Sequence, residues 1–138
     1  MASTVMQEPR RRYVKMKRDM DLLREILLKI ESDPKMDGRR EMYYAEPDQM
    51  GISDRSPKEF LYHLHLLISA GLVDGSAAII PITVRSLTWD GHEFVDNIRN
   101  DNVWGKTKKR LAGLAGTVSV GVIAAIAQAE TKKLFGLS

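Results

Sequence analysis

Side chains able to do chemistry fall in two short stretches. "HLH" sets His63 and His65 one residue apart, and "WDGHEF" gathers Asp90, His92 and Glu93. A His-x-His pair chelates a transition metal well on a strand, where alternate side chains share a face. On a helix the two rings project about 200° apart, and one ion cannot take both. The surrounding "SPKEFLYHLHLLISAGLV" reads as a helix, so His63 is expected at the core margin with a backbone partner and His65 in solvent. Asp90, His92 and Glu93 begin another helix and diverge, with no second cluster to complement them. The 138 residues contain three histidines and no cysteine, which excludes disulfides, thiolate metal sites and cysteine nucleophiles. Neither GxGxxG nor a Walker-type loop occurs. No catalytic residue, metal ligand or cofactor is assigned, and a non-enzymatic protein is expected.

The elements that carry these residues are more legible than any site. From Lys17 to Glu31, apolar residues recur at helical spacing (Met20, Leu23, Ile26 or Leu27, Ile30), and "SDP" at 32–34 ends the run. "REMYYAE" at 40–46 reads as a weak strand or a short irregular piece, and "PDQMG" at 47–51 is compatible with one turn of helix. Ser56, Pro57 and Glu59 form a helix start with a capping box. Phe60, Leu61, Leu64, Leu67 and Ile68 form its inward stripe, and Gly71 is a left-handed stop. A hairpin follows, from Leu72–Val73 to Ile82–Leu87. Thr88 then caps a helix that turns Phe94, Val95 and Ile98 inward.

Charge is unevenly distributed around a net +3. Residues 1–30 carry eight basic groups against four acidic ones, residues 31–101 seven against thirteen, and residues 102–138 six against Glu130 alone. An acidic middle with two basic ends is the pattern of a scaffold with polyanion-binding arms. The N-terminal sequence lacks a signal-peptide core, and with the absence of cysteine this favours a soluble, cytoplasmic protein. From Leu111 to Ala129 the chain runs nineteen residues without a charge. That length reaches the threshold for a membrane span, but glycine, serine, threonine and glutamine dilute it, and membrane insertion is not expected. Residues 117–135 read instead as an Ala-rich helix, apolar over most of its circumference. Such a helix is normally buried by neighbours, whether a second copy, another protein or its own domain.

Helix, short helix, helix, hairpin, helix is the order of a winged helix-turn-helix. Together with "MKRDMDLLREILLKIE" at 16–31, "YHLHLLISAGLV" at 62–73 and "LTWDGHEFVDNIRNDNVWGKTKKRL" at 87–111, it resembles the bacterial and phage family named domain of unknown function 2513. The resemblance implies a winged-helix fold and an association with phage or prophage gene sets, but no chemistry. It also implies a start near Met16, which makes residues 1–15 an extension or the product of an upstream start codon. The expected class is α+β, mostly α: a basic tail over residues 1–15, a winged-helix domain over 16–101, and a basic connector with an Ala-rich helix over 102–138.

Two functions follow from these expectations. In the first, the protein associates with DNA, with a role in transcriptional regulation. Arg10, Arg11, Arg12 and Lys17 at one end and Lys106, Lys108, Lys109 and Arg110 at the other would neutralise phosphates. The 57–70 helix would offer Lys58, Tyr62 and His65 to the groove, with Arg55 just before it. In the second, the protein is an interaction adaptor. The uncharged hairpin loop "GSAAIIP" is easier to explain as covered than as solvated, and Ile79 and Ile80 would lie in a contact. Val118, Val122, Ile126 and Ala129 would join a second copy or another protein. No small-molecule substrate is expected.

Overall fold

The computed structural model describes residues 16–114 and 118–137. Asp19 opens the first element: its carboxylate accepts the backbone N–H groups of Asp21 and Leu22, and α1 runs Met20–Ser32. A short strand β1 (Met42–Tyr44) and a 3-10 turn (Pro47–Met50) lead into α2 (Pro57–Ser69). The expected capping box is present in α2, with Ser56 accepting from the Glu59 N–H and Glu59 from the Ser56 N–H, both at 3.1 Å. Gly71 adopts φ +77°, a conformation that glycine enters without steric cost, and turns the chain into β2 (Val73–Ser76). β3 (Ile82–Leu87) lies between β1 and β2 in a three-stranded antiparallel sheet. Met42 faces Val84 across one pair, Val73 faces Leu87 across the other, and a bulge falls between Asp74 and Gly75.

Thr88 caps α3 (Trp89–Ile98) through the Gly91 N–H. The helix read from "WDGHEFVDNIRND" at 89–101 breaks at Asn100, whose side chain accepts from Asn102 and Val103 and starts α4 (Asp101–Ala112). Residues read as a connector therefore form a helix. Val103, Trp104 and Thr107 on it are buried. Arg24 of α1 fixes the break, donating to the carbonyls of Ile98 (2.9 Å) and Arg99 (2.7 Å) and pairing with Asp101. Ser119 caps α5 (Val120–Leu134), which turns Ile123, Ile126 and Ala127 inward against α3 and α4.

One apolar cluster unites Leu22, Ile26 and Ile30 of α1, Phe60 and Leu64 of α2, Val84 of β3, Val95 and Ile98 of α3, Trp104 of α4 and Ile123 of α5. The result is α+β and mostly helical, with five helices and a small sheet among the described residues. Burying each large aliphatic side chain is worth about 1.5–3 kcal/mol. Ile123 and Ala127 are part of the same core as α1, so α5 contributes to the stability of the rest.

Candidate nucleic-acid interface

The first turn of α1 is the meeting point of the basic segments. Asp19 pairs with Arg55 just before α2, and Asp21 accepts from Lys108 Nζ of α4 at 2.8 Å and from the Trp104 indole N–H at 2.8 Å. Lys17 and Arg18 lie immediately before this turn, with Lys17 exposed. Cationic groups from the chain's beginning, from the start of α2 and from α4 thus share one edge of the molecule. The edge is not bare charge. Burial works to raise the Asp19 carboxyl pKa, but the Arg55 guanidinium and two backbone N–H groups outweigh it and hold the group below its usual value. Lys108 and the Trp104 N–H do the same for Asp21. Two carboxylates that stay ionised to unusually low pH therefore stand among the cations, and each must be out-competed by any phosphate that takes its partner.

Other candidate residues are divided by the packing. Lys58 and His65 are exposed on α2 and Tyr62 half-buried beside them, so the three do present one outward face. Lys106 and Lys109 are exposed on α4 and ion-pair with no described residue. Arg110 is committed elsewhere: it donates to Glu130 of α5 at 3.0 Å, and Lys133 lies 3.6 Å from the same carboxylate. Glu130 is only 5% exposed. Its carboxyl is held below its usual value, chiefly by the Arg110 hydrogen bond, against the opposing effect of desolvation. Arg10, Arg11 and Arg12 lie outside the described residues.

His63 is buried more deeply than a core margin, at 1% exposure. Its Nε2 accepts the Asp19 backbone N–H at 2.7 Å, and its Nδ1–H donates to the Glu59 carbonyl at 2.7 Å. That pairing requires the neutral ring with its proton on Nδ1. His63 is a strut that ties the start of α1 to α2, while His65 points to solvent. Among the described residues, no three His, Asp or Glu side chains converge as metal ligands. Asp90, His92 and Glu93 are all exposed.

Contact residues proposed from the sequence also separate. Ile79 and Ile80 are 75% and 65% exposed at the hairpin tip, and no described part of the chain covers them. On α5, Ile126 is turned into the chain's own core, Ala129 is half-buried and Val122 is 43% exposed, while Val118, just before the helix, is half-buried. Ile126 is thus unavailable to a partner while α5 stays docked. No described helix is long and apolar enough to cross a membrane.

Sequence reading missed Asp19, Arg18 and Glu130. Asp19 had a local signal, an acidic residue directly before an apolar-periodic run. Glu130 had a weaker one, the lone acid of the C-terminal segment three residues before Lys133. Arg18, which donates to the Val118 carbonyl at 2.8 Å, had none, because its partner lies one hundred residues away.

Comparison with known proteins places the chain without assigning chemistry. No solved structure matches it. An "Uncharacterized protein" of Haemophilus influenzae (strain Rd) is 38% identical over 117 residues, covering 82% of this chain and 93% of that protein. The family described as "Hypothetical protein (DUF2513)" matches residues 17–117, and the chain belongs to that family.

Proposed function

We propose that the protein is a non-catalytic winged-helix module that associates with DNA through the basic residues of its two ends, with regulation of transcription as the expected use. The helix–strand–turn–helix–hairpin order supports the winged-helix assignment, which supplies a DNA-binding expectation only by analogy. The observation that carries the reading is the edge at the start of α1, where Lys17, Arg18, Arg55 and Lys108 come from three separate segments. Affinity for duplex rests mainly on neutralised phosphates, and this edge joins the body to the segment containing Arg10, Arg11 and Arg12. The α2 face, with Lys58, Tyr62 and His65, is the candidate groove element. A phage or prophage setting belongs to the same proposal. Fluorescence anisotropy with a labelled duplex tests it: the full chain is expected to bind at about 50 mM salt and release at about 200 mM. Absence of binding at the lower concentration rejects the DNA reading.

The exposed Ile79 and Ile80 favour a second reading, an interaction adaptor that uses the hairpin tip. Deleting α5 would not test self-association cleanly, because Ile123 and Ala127 belong to the common core. Replacing both isoleucines with serine leaves the core intact. The adaptor reading expects light scattering to show an oligomer that the double variant dissociates, and equal masses reject self-association through the tip.

A further inference from the structure

A cavity of about 300 Å³ lies between the end of α2 and the beginning of α5. Met20 and Leu23 of α1, Leu66 of α2, Phe94 of α3 and Val120 and Ile123 of α5 line it. Its lining is apolar except at one side, where Arg18 stands, and Ser69 and Ala70, both exposed, mark the opening to solvent. We propose that this cavity is a binding site for a small amphiphile with an aliphatic or aromatic body and one carboxylate, whose anionic end meets Arg18.

Three observations carry the assignment. The volume falls at the lower end of the range for small-molecule sites, large enough for a chain of about eight carbons. Among the described residues Arg18 is the only charged one in the lining, and it spends one N–H on the Val118 carbonyl at 2.8 Å. The guanidinium fork carries five donors, so a carboxylate can engage others in the charge-assisted geometry that arginine favours. A neighbouring cleft of about 400 Å³ shares Ala70, Leu72, Phe94 and Val120 but adds Asp90 and Glu93, whose charge repels an anion. The two hollows flank Val120, a half-buried residue in the first turn of α5 that packs against the core. A ligand in the Arg18 cavity fills the space under that turn and fastens α5 to α1 and α2.

This site shares Arg18 with the proposed DNA edge, but its test needs no duplex and uses the full chain with octanoate, octanol and octylamine below their aggregation concentrations. Isothermal titration is expected to show one octanoate per chain, bound about tenfold more tightly than octanol. Octylamine should bind more weakly than octanol. Shortening the acid to hexanoate should weaken binding about fifteenfold, since each buried methylene is worth about a factor of four. Arg18→Gln should abolish the preference for octanoate while leaving octanol binding in place, which also shows that the variant is folded. Ala70→Trp, at the mouth, should block both. Non-saturable uptake, equal affinity for acid and amine, or an unchanged acid preference in Arg18→Gln would overturn the proposal.

Discussion

Gly91 and Gly105 are both helical glycines, and the structure predicts opposite outcomes when each becomes alanine. Alanine stabilises a helix interior by about 1 kcal/mol relative to glycine. Gly105, in α4, has nothing within 4 Å of the position a Cβ would occupy, so Gly105→Ala should gain roughly that amount. At Gly91, in the first turn of α3, the added carbon would stand 2.0 Å from the Leu72 carbonyl oxygen and 3.3 Å from Leu87 Cβ. Ordinary contact begins near 3.4 Å, so α3 or the Leu72 carbonyl must move by more than an ångström. The same carbonyl accepts the Thr88 N–H at 3.0 Å, and its displacement strains the join between the hairpin and α3. Overpacking of this kind costs about 1–3 kcal/mol, and a weakened hydrogen bond about 1 kcal/mol more. After the helix gain is subtracted, Gly91→Ala should lose about 2 kcal/mol. Urea unfolding followed by circular dichroism measures both variants, with an unchanged m-value as the check that only stability moved. A Gly91→Ala protein as stable as the parent would refute the close approach of α3 to Leu72.

Other consequences follow from single residues. His63→Leu keeps the apolar volume but orphans the Asp19 N–H, so it should cost about 1–3 kcal/mol in the same unfolding experiment. Glu130 has a lower pKa folded than unfolded, so its stabilising contribution is complete above about pH 4.5 and is lost as pH falls through the folded value. Thermal melts of Glu130→Gln should accordingly start lower at pH 7 and fall less than the parent's on acidification. Asp21→Asn removes the charge that competes for Lys108, and should steepen the salt dependence of duplex binding by about one phosphate contact.

Elements set by local signals were legible in the sequence. The Ser56–Pro57–Glu59 start, the Gly71 stop and the Thr88 cap each act within four residues, and all three stand where residue type places them. What stayed hidden depends on distant partners. The segment from Asn102 to Arg110 offers one apolar pair and a central glycine, so it reads as a connector. It is helical where Trp104 reaches Asp21 across 83 residues and Arg24 stacks 5.7 Å above the same indole. The sequence assigns Ile126 to a partner contact because an Ala-rich helix shows its apolar face but not what meets it. The basic character of both ends was plain from the charge counts. That Lys17, Arg18 and Lys108 meet at the start of α1, and that Asp21 already holds Lys108, required the fold.

We propose that a polyanion is gripped by Lys17, Arg18, Arg55 and Lys108 at the start of α1 together with Arg10, Arg11 and Arg12. The most direct test is the slope of log affinity against log salt for duplex binding by the parent, by a protein with Arg10, Arg11 and Arg12 all changed to alanine, and by Lys58→Ala. Loss of three phosphate contacts should make the slope shallower by about 2.7 in the triple variant, with Lys58→Ala within about one contact of the parent. An unchanged slope in the triple variant, with the loss falling on Lys58→Ala, would place the grip on α2 and contradict the account.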